Sequence, residues 1–188
     1  MRLKNKPLNQ ISAPYIRKMQ VDLKQFKKSV EKKGKKMKRF LTKIENDPPK
    51  GLHRLNVYLN EEVWKEVDCL TCANCCKKMT PTLTNKDKDR IAEYLNLSRQ
   101  EFETSFLEYD KEEKDWRMQK QPCYFLDQQT NMCRIYEIRP KDCAGFPHLT
   151  KKPMPDYMHV HKQNIAYCPA TFRFVEKMMD SIEFVKPK

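Results

Sequence analysis

An apolar stripe with helical spacing runs through the first quarter of the chain. Its side chains recur every three or four positions, as is typical of one face of an amphipathic helix: Ile16, Met19, Leu23, Phe26, Val30, Met37, Phe40 and Ile44. The pattern predicts a long helix that begins near Ser12-Ala13-Pro14 and ends at Asp47-Pro48-Pro49, because a residue before proline avoids the helical backbone region. Gly34 lies in its middle, where it weakens a helix by about 1 kcal/mol relative to alanine.

Three shorter helices are predicted farther along the chain. Thr84 and Asp87, and again Ser98 and Glu101, have the three-residue spacing of a capping box, in which the two residues satisfy each other's backbone N–H groups. Proline directly after Cys168 is typical of a first helical turn. The apolar face of this last helix is predicted to contain Phe172, Val175, Met179 and Ile182.

Alternating apolar and polar positions predict short extended elements. Residues 52–59 are expected to form a strand or turn, residues 116–118 and 157–161 to form strands, and residues 77–83 to be extended. Phe125-Leu126 is expected to face Ile135-Tyr136 across a polar turn in a hairpin-like arrangement. The elements together predict an α+β, mainly α fold. We expect a basic amphipathic helical extension over residues 1–50, then a compact cysteine-rich metal-binding domain with few short strands over residues 51–188.

The positive charge is concentrated in the predicted N-terminal helix. Residues 1–45 hold 15 Lys/Arg against three acidic residues, a net charge of +12 out of +13 for the whole chain. Three interpretations follow, in order of preference. The helix packs its apolar face on the domain body with its lysines solvated. Alternatively, it meets a protein partner or a second copy of itself, or residues 14–45 bind a polyanion such as nucleic acid or an anionic membrane. Aromatic residues suited to base stacking are sparse on the basic face.

Composition excludes several classes of protein. Three glycines are too few and too dispersed for a phosphate-cradling loop or a G-x-G-x-x-G turn, so a domain that binds NAD or S-adenosylmethionine is not expected. No apolar run approaches the 20 or so residues of a transmembrane helix. Residues 1–7 are charged and polar, without the apolar stretch of a signal peptide, so we expect a cytoplasmic location.

Four thiols lie within eight residues, in Cys69-Leu70-Thr71-Cys72-Ala73-Asn74-Cys75-Cys76. A C-x-x-C step directs two thiolates toward one ion, and this segment contains two such steps in succession. Neighbouring side chains of an extended segment point to opposite sides, so Cys75 and Cys76 are expected to diverge. The density of thiols favours a metal site over unrelated buried cysteines.

The remaining four cysteines lie downstream, at Cys123, Cys133, Cys143 and Cys168. Eight thiols are enough for two four-thiolate sites, or for one site and a redox pair. A disulfide framework would need an oxidising compartment, which the N-terminus does not indicate. We therefore predict that the eight cysteines are metal ligands; of Cys75 and Cys76, one can bind a first metal while the other faces a second metal, a packed core or a resolving thiol. We also expect most of the eight sulfurs to lie within about 10 Å of one another.

Histidines are weaker candidates for metal binding. On a strand, His159 and His161 would share one face, where two imidazoles can bind a metal together, although surface or hydrogen-bonded imidazoles are the commoner outcome. His148 lies closer to the cysteine motif and is the better candidate. Trp64, just before the motif, is expected to pack beside the metal region.

The cysteine pattern resembles that of the CxxCxxCC family, the YkgJ-like proteins described as zinc- or iron-chelating domains and often named iron–sulfur oxidoreductases. The resemblance covers about residues 64–172. Family members commonly have glycine after the second cysteine, where this chain has Ala73; if that glycine has a positive φ, the alanine is strained. The family includes a flagellin lysine methylase, but this short chain lacks a glycine-rich cofactor loop. Besides the eight cysteines, the resemblance is carried by Phe125-Leu126, Ile135-Tyr136, Arg139-Pro140, Phe146-Pro147 and Pro169.

Three functions follow from the residues and the resemblance. The first is a metal-binding protein that chelates zinc or iron, an iron–sulfur cluster included, with no assigned reaction. The second is an iron–sulfur oxidoreductase or modifying enzyme whose substrate the sequence does not reveal. The third is a zinc-stabilised interaction module that binds nucleic acid or a protein through the basic helix. A closed four-thiolate zinc site is structural, whereas an iron–sulfur cluster takes the same ligands and supports electron transfer.

Overall fold

The structure, a computed structural model, describes residues 21–151 and 153–183, without the side chain of Glu183. Its strands β1 (Leu107–Asp110) and β2 (Asp115–Met118) pair antiparallel, with Leu107 opposite Met118. Its helices are α1 (Leu23–Asn46), α2 (Leu52–Glu66), α3 (Cys69–Cys72), α4 (Asn74–Lys78), α5 (Asn85–Tyr94), α6 (Arg99–Phe106), α7 (Lys141–Gly145), α8 (Met158–Asn164) and α9 (Pro169–Glu183). The predicted α+β, mainly α class is confirmed. Within the described ranges, no helix combines the length and the apolarity needed to cross a membrane.

Helix α1 is the long basic helix that the apolar stripe predicted. Asp22 caps its N-terminus by accepting hydrogen bonds from the backbone N–H groups of Lys24 and Gln25, and the helix stops before Asp47 as expected. Its buried positions follow helical spacing, at Gly34, Met37, Leu41 and Ile44. The predicted start near residues 12–14 and the first two members of the stripe lie outside the described residues.

A first hydrophobic core lies among α1, α2, α8 and α9. Helix α2 packs on α9, and α1 packs on both α8 and α9. Leu41, Val63, Met158 and Phe174 have no exposed surface in this core. The apolar face of α1 therefore packs on the body of the protein, which was the first of the three interpretations. The division at residue 50 stays a prediction.

A second hydrophobic core lies among α5, α6 and the two strands, around Ile91 and Phe102. Both predicted capping boxes are formed, by Thr84 with Asp87 and by Ser98 with Glu101. The hairpin-like segment is also formed: Leu126 pairs with Cys133, and the Arg134 N–H donates to the Phe125 carbonyl at 2.8 Å. This segment brings Cys123 and Cys133 against the second core.

Two of the extended segments, and the start of a third, were predicted wrongly. Residues 52–59 belong to helix α2, because Leu52, Asn56, Leu59 and Val63 are buried at helical spacing. Residues 157–161 pass from a 3-10 turn into helix α8, so a loose two-residue alternation over five positions was misleading. Residues 77 and 78 complete α4, and the chain leaves the helix only at Met79. Residues 116–118 do form the predicted strand.

Candidate metal centre

The C-x-x-C-x-x-C-C segment forms two single-turn helices, α3 and α4, joined at Ala73. Asp68 caps α3, its carboxylate accepting from the Leu70 backbone N–H at 3.0 Å. Ala73 is left-handed, with φ 47° and ψ 18°. Glycine adopts this conformation without strain, whereas in other L-residues Cβ crowds the following carbonyl at a cost of about 1 kcal/mol. The position therefore has a physical reason to favour glycine, and this chain holds an alanine there under strain.

Cys75 and Cys76 lie side by side, with their sulfurs 3.9 Å apart. The expected divergence is wrong because the pair lies in α4, where successive side chains are about 100° apart rather than on opposite faces. Four sulfurs at 2.3 Å from a tetrahedral metal are separated by about 3.8 Å. The observed separation is therefore close to that of two ligands of one metal, or of neighbouring ligands of two adjoining centres.

Four of the thiols line one narrow cavity, and we call them the first thiol group: Cys69, Cys72, Cys75 and Cys168. Asn74 holds this group together, because its Nδ2 donates to the Tyr167 carbonyl at 2.7 Å and so ties α4 to the residue before Cys168. Trp64 lines the same cavity, in the place expected from the sequence.

The other four thiols, which we call the second thiol group, are Cys76, Cys123, Cys133 and Cys143. The Cys123 N–H donates to the Cys76 carbonyl at 2.8 Å, which attaches the downstream segment directly to α4. Cys76 also acts electrostatically on the other three thiols of this group. The segment of Cys123 and the C-x-x-C-x-x-C-C segment, which are separated in sequence, are thus in direct contact.

Burial keeps most of these thiols neutral in the absence of a metal. Desolvation raises the pKa of Cys69 and of Cys123 to about 11, although part of Cys69 reaches solvent. It also raises the pKa of Cys143 and of the buried Cys168. The hydrogen-bonding contact between the Cys75 and Cys76 sulfurs lowers the pKa of Cys76. Because thiolates rather than thiols bind metals, an ion entering here has to displace protons.

The chemistry of the donors fits zinc and iron, since both accept four thiolates. As the side chains of the described residues stand, no three His, Cys, Asp or Glu residues have the arrangement of a completed metal site. Metal binding would therefore require movements of the sulfurs from these positions. Two contacts already link the two thiol groups: the Cys75 and Cys76 sulfurs lie 3.9 Å apart, and the Cys123 N–H donates to the Cys76 carbonyl.

His159 and His161 do not share one face, as they would on the predicted strand. His161 is fully buried, whereas His159, two residues away on helix α8, is exposed. Both ring nitrogens of His161 have no hydrogen-bond partner among the described residues, and burial lowers its pKa to about 4. The Nε2 of His148 lies 3.1 Å from an Asp142 carboxylate oxygen, which places this histidine next to the helix of Cys143.

Sequence reasoning missed three polar residues that support the thiols. Asp68 had a readable signal, since aspartate before a helical turn is a common N-cap. Asn74 had none, because its partner Tyr167 lies 93 residues away. Asn131 likewise donates to the Thr71 carbonyl at 3.1 Å, across 60 residues.

The protein is small and mainly helical and carries eight cysteines. These features define the class of the cysteine-rich metal-chelating domains. The chain belongs to the CxxCxxCC family, "Putative zinc- or iron-chelating domain", whose model matches residues 68–169. It is 34% identical over 99 residues to an uncharacterized protein of Methanocaldococcus jannaschii, a match that covers 50% of each chain. The chain thus spans about half the length of this curated relative. No solved structure matches the chain.

Proposed function

We propose that the protein binds zinc or iron through all eight cysteines, as two four-cysteine centres that adjoin at Cys75 and Cys76. The first thiol group forms one centre and the second thiol group forms the other. The observation that carries this proposal is the placement of the thiols. Four share one cavity. Of the other four, Cys76 lies beside Cys75 of that cavity, and Cys123 is hydrogen-bonded to the Cys76 carbonyl.

The residues around the thiols suit a site that excludes water. Trp64, Val67, Phe146 and Pro147 line the cavity of the first thiol group. Apolar surroundings of this kind limit solvent access and so tune a bound metal. Zinc would supply a structural cross-link here, and an iron–sulfur cluster would supply electron transfer.

The two centres would also connect the two hydrophobic cores. Cys168 is part of the first core, whereas Cys123 and Cys133 pack against the second. Ligands that are joined only when a metal is bound contribute the binding free energy to folding. Removing the metal is therefore expected to lower the thermal stability of the whole protein.

Serine variants test the two-centre arrangement. We expect Cys168→Ser and Cys143→Ser each to lose about half of the metal per chain, as measured by elemental analysis after anaerobic purification. Visible absorbance of the same samples distinguishes an iron–sulfur cluster from zinc. Circular dichroism checks that each variant is folded.

Two double variants make the test sharper. Cys72→Ser with Cys168→Ser changes one group twice, and we expect it to keep the metal of the second group. Cys143→Ser with Cys168→Ser changes both groups, and we expect it to lose nearly all metal. A folded single variant that loses all its metal would show one shared centre, and unchanged metal in both single variants would show that these cysteines are not ligands.

A further inference from the structure

The solvent face of helix α1 carries a continuous line of positive charge. Six cations recur along it at steps of four, four, three, four and four residues, which places them on one side of the helix. They are all exposed, and we call them the basic ridge: Lys24, Lys28, Lys32, Lys35, Arg39 and Lys43. At 1.5 Å per residue the ridge is about 29 Å long. Helix α1 as a whole contains ten Lys/Arg and two Glu, a net charge of +8.

Within residues 21–151 and 153–182, no acidic side chain forms a salt bridge with the basic ridge. The salt bridges described for α1 involve Lys33 with Glu176 and Glu45 with Lys162, and none of these residues belongs to the ridge. Lys24 and Lys28 act electrostatically on Asp22, which is already engaged as the helix cap. Like charges at these spacings repel one another, and a polyanion would relieve that repulsion.

We propose that the basic ridge binds double-stranded DNA through its phosphates, without reading the base sequence. The proposal is independent of the metal centres. Duplex DNA carries one negative charge per about 1.7 Å of its axis, so it offers many phosphates along the length of the ridge. The major groove of B-form DNA is about 12 Å wide and admits an α-helix, whereas the deep, narrow major groove of duplex RNA does not.

The rest of the helix surface favours a duplex over an unpaired strand. Proteins that bind single strands stack bases on exposed aromatic side chains. The aromatic residues of α1, Phe26 and Phe40, are half-buried against the first core and do not belong to the exposed face.

The buried face of α1 argues against an anionic membrane as the partner. An interfacial helix inserts its apolar face among the lipids. In α1 that face, with Met37, Leu41 and Ile44, is already buried in the first core. Only the charged half of the helix is available for binding.

A pair of charge-matched variants tests the proposal. The ridge variant combines Lys28→Gln, Lys35→Gln and Arg39→Gln; glutamine keeps a high helix propensity. The control variant carries Lys50, Lys86 and Lys111 changed to Gln, three exposed lysines outside α1 for which the described residues provide no salt bridge. Both variants lower the net charge of the full-length protein by three.

The measurement is fluorescence anisotropy with a labelled 20-base-pair duplex of mixed sequence over a range of salt concentrations. We expect the slope of log K against log salt to become shallower by about 2.7 in the ridge variant, because each phosphate contact contributes about 0.9. The control is expected to stay close to the wild type. Helicity and metal content confirm that both variants are folded.

Three results would overturn the proposal. The first is that the wild type fails to bind the duplex. The second is that both variants weaken binding equally. The third is that the wild type binds duplex RNA or phosphatidylserine vesicles more tightly than duplex DNA. The second result would reflect overall charge, and the third would assign the ridge to another partner.

Discussion

Replacing Gly34 by alanine should stabilise the protein. Gly34 is buried in the interior of α1, where glycine costs about 1 kcal/mol relative to alanine because it loses more backbone freedom on folding. A Cβ built at this position would lie 3.6 Å from Val30 Cγ1 and 4.0 Å from Ile165 Cγ2. Both distances are ordinary van der Waals contacts, so the methyl group fits between α1 and the residue that follows α8.

The size of the effect follows from these two contributions. The gain in helix propensity is about 1 kcal/mol, and the new methyl group adds at most about 0.8 kcal/mol of apolar burial. For a protein of this length, each kcal/mol shifts the melting temperature by about 3 °C. We therefore expect Gly34→Ala to raise the melting temperature by about 3–5 °C.

The other two glycines provide controls of opposite sign. Gly51 has φ +79°, so Gly51→Ala should lower the free energy of unfolding by about 1 kcal/mol through backbone strain. At Gly145 an added Cβ would lie 2.9 Å from the His148 ring, so Gly145→Ala should also be destabilising. Thermal unfolding followed by circular dichroism, in one buffer and at equal metal content, measures all three variants. If Gly34→Ala melts at or below the wild-type temperature, then α1 does not pack against Ile165 as described.

Two further predictions concern buried ionisable residues. Lys88 is almost fully buried, and its Nζ pairs with a Glu103 carboxylate oxygen at 2.8 Å. Glu103→Gln should therefore lower the free energy of unfolding, measured by chemical denaturation, by about 2 kcal/mol, and adding Lys88→Met should restore most of this loss. A double variant as unstable as Glu103→Gln alone would contradict the pairing. The pKa of His161 falls from 6.5 to about 4 on folding, mainly because of burial, so the unfolded chain binds more protons between these pH values. Stability should therefore fall by about 3 kcal/mol as the pH drops from 6.5 to 4, and His161→Gln should flatten that part of the pH profile.

Several features of the protein were readable from local patterns. The spacing of Phe26, Met37 and Ile44 predicted α1, and the two capping boxes predicted the starts of α5 and α6, because helix periodicity and capping depend on residues within one or two turns. The density of thiols in residues 69–76 indicated metal chelation for the same reason: the ligands are neighbours in the chain.

Short alternating segments were not readable in the same way. Residues 52–59 and 157–161 satisfied a strand pattern over a few positions, yet both are helical, because a few positions do not separate a two-residue from a 3.6-residue period. Contacts across the fold determine that both segments are helical, because α2 packs on α9 and α8 packs against α1.

The composition of the chain, with eight cysteines and a basic N-terminal segment, by itself determined which chemistry the protein carries. Only the tertiary structure decided how that chemistry is arranged. It placed Cys168 in the cavity of Cys69, Cys72 and Cys75, and it attached Cys123 to Cys76. These contacts join residues tens of positions apart, and they depend on the packing of two hydrophobic cores that no local spacing encodes.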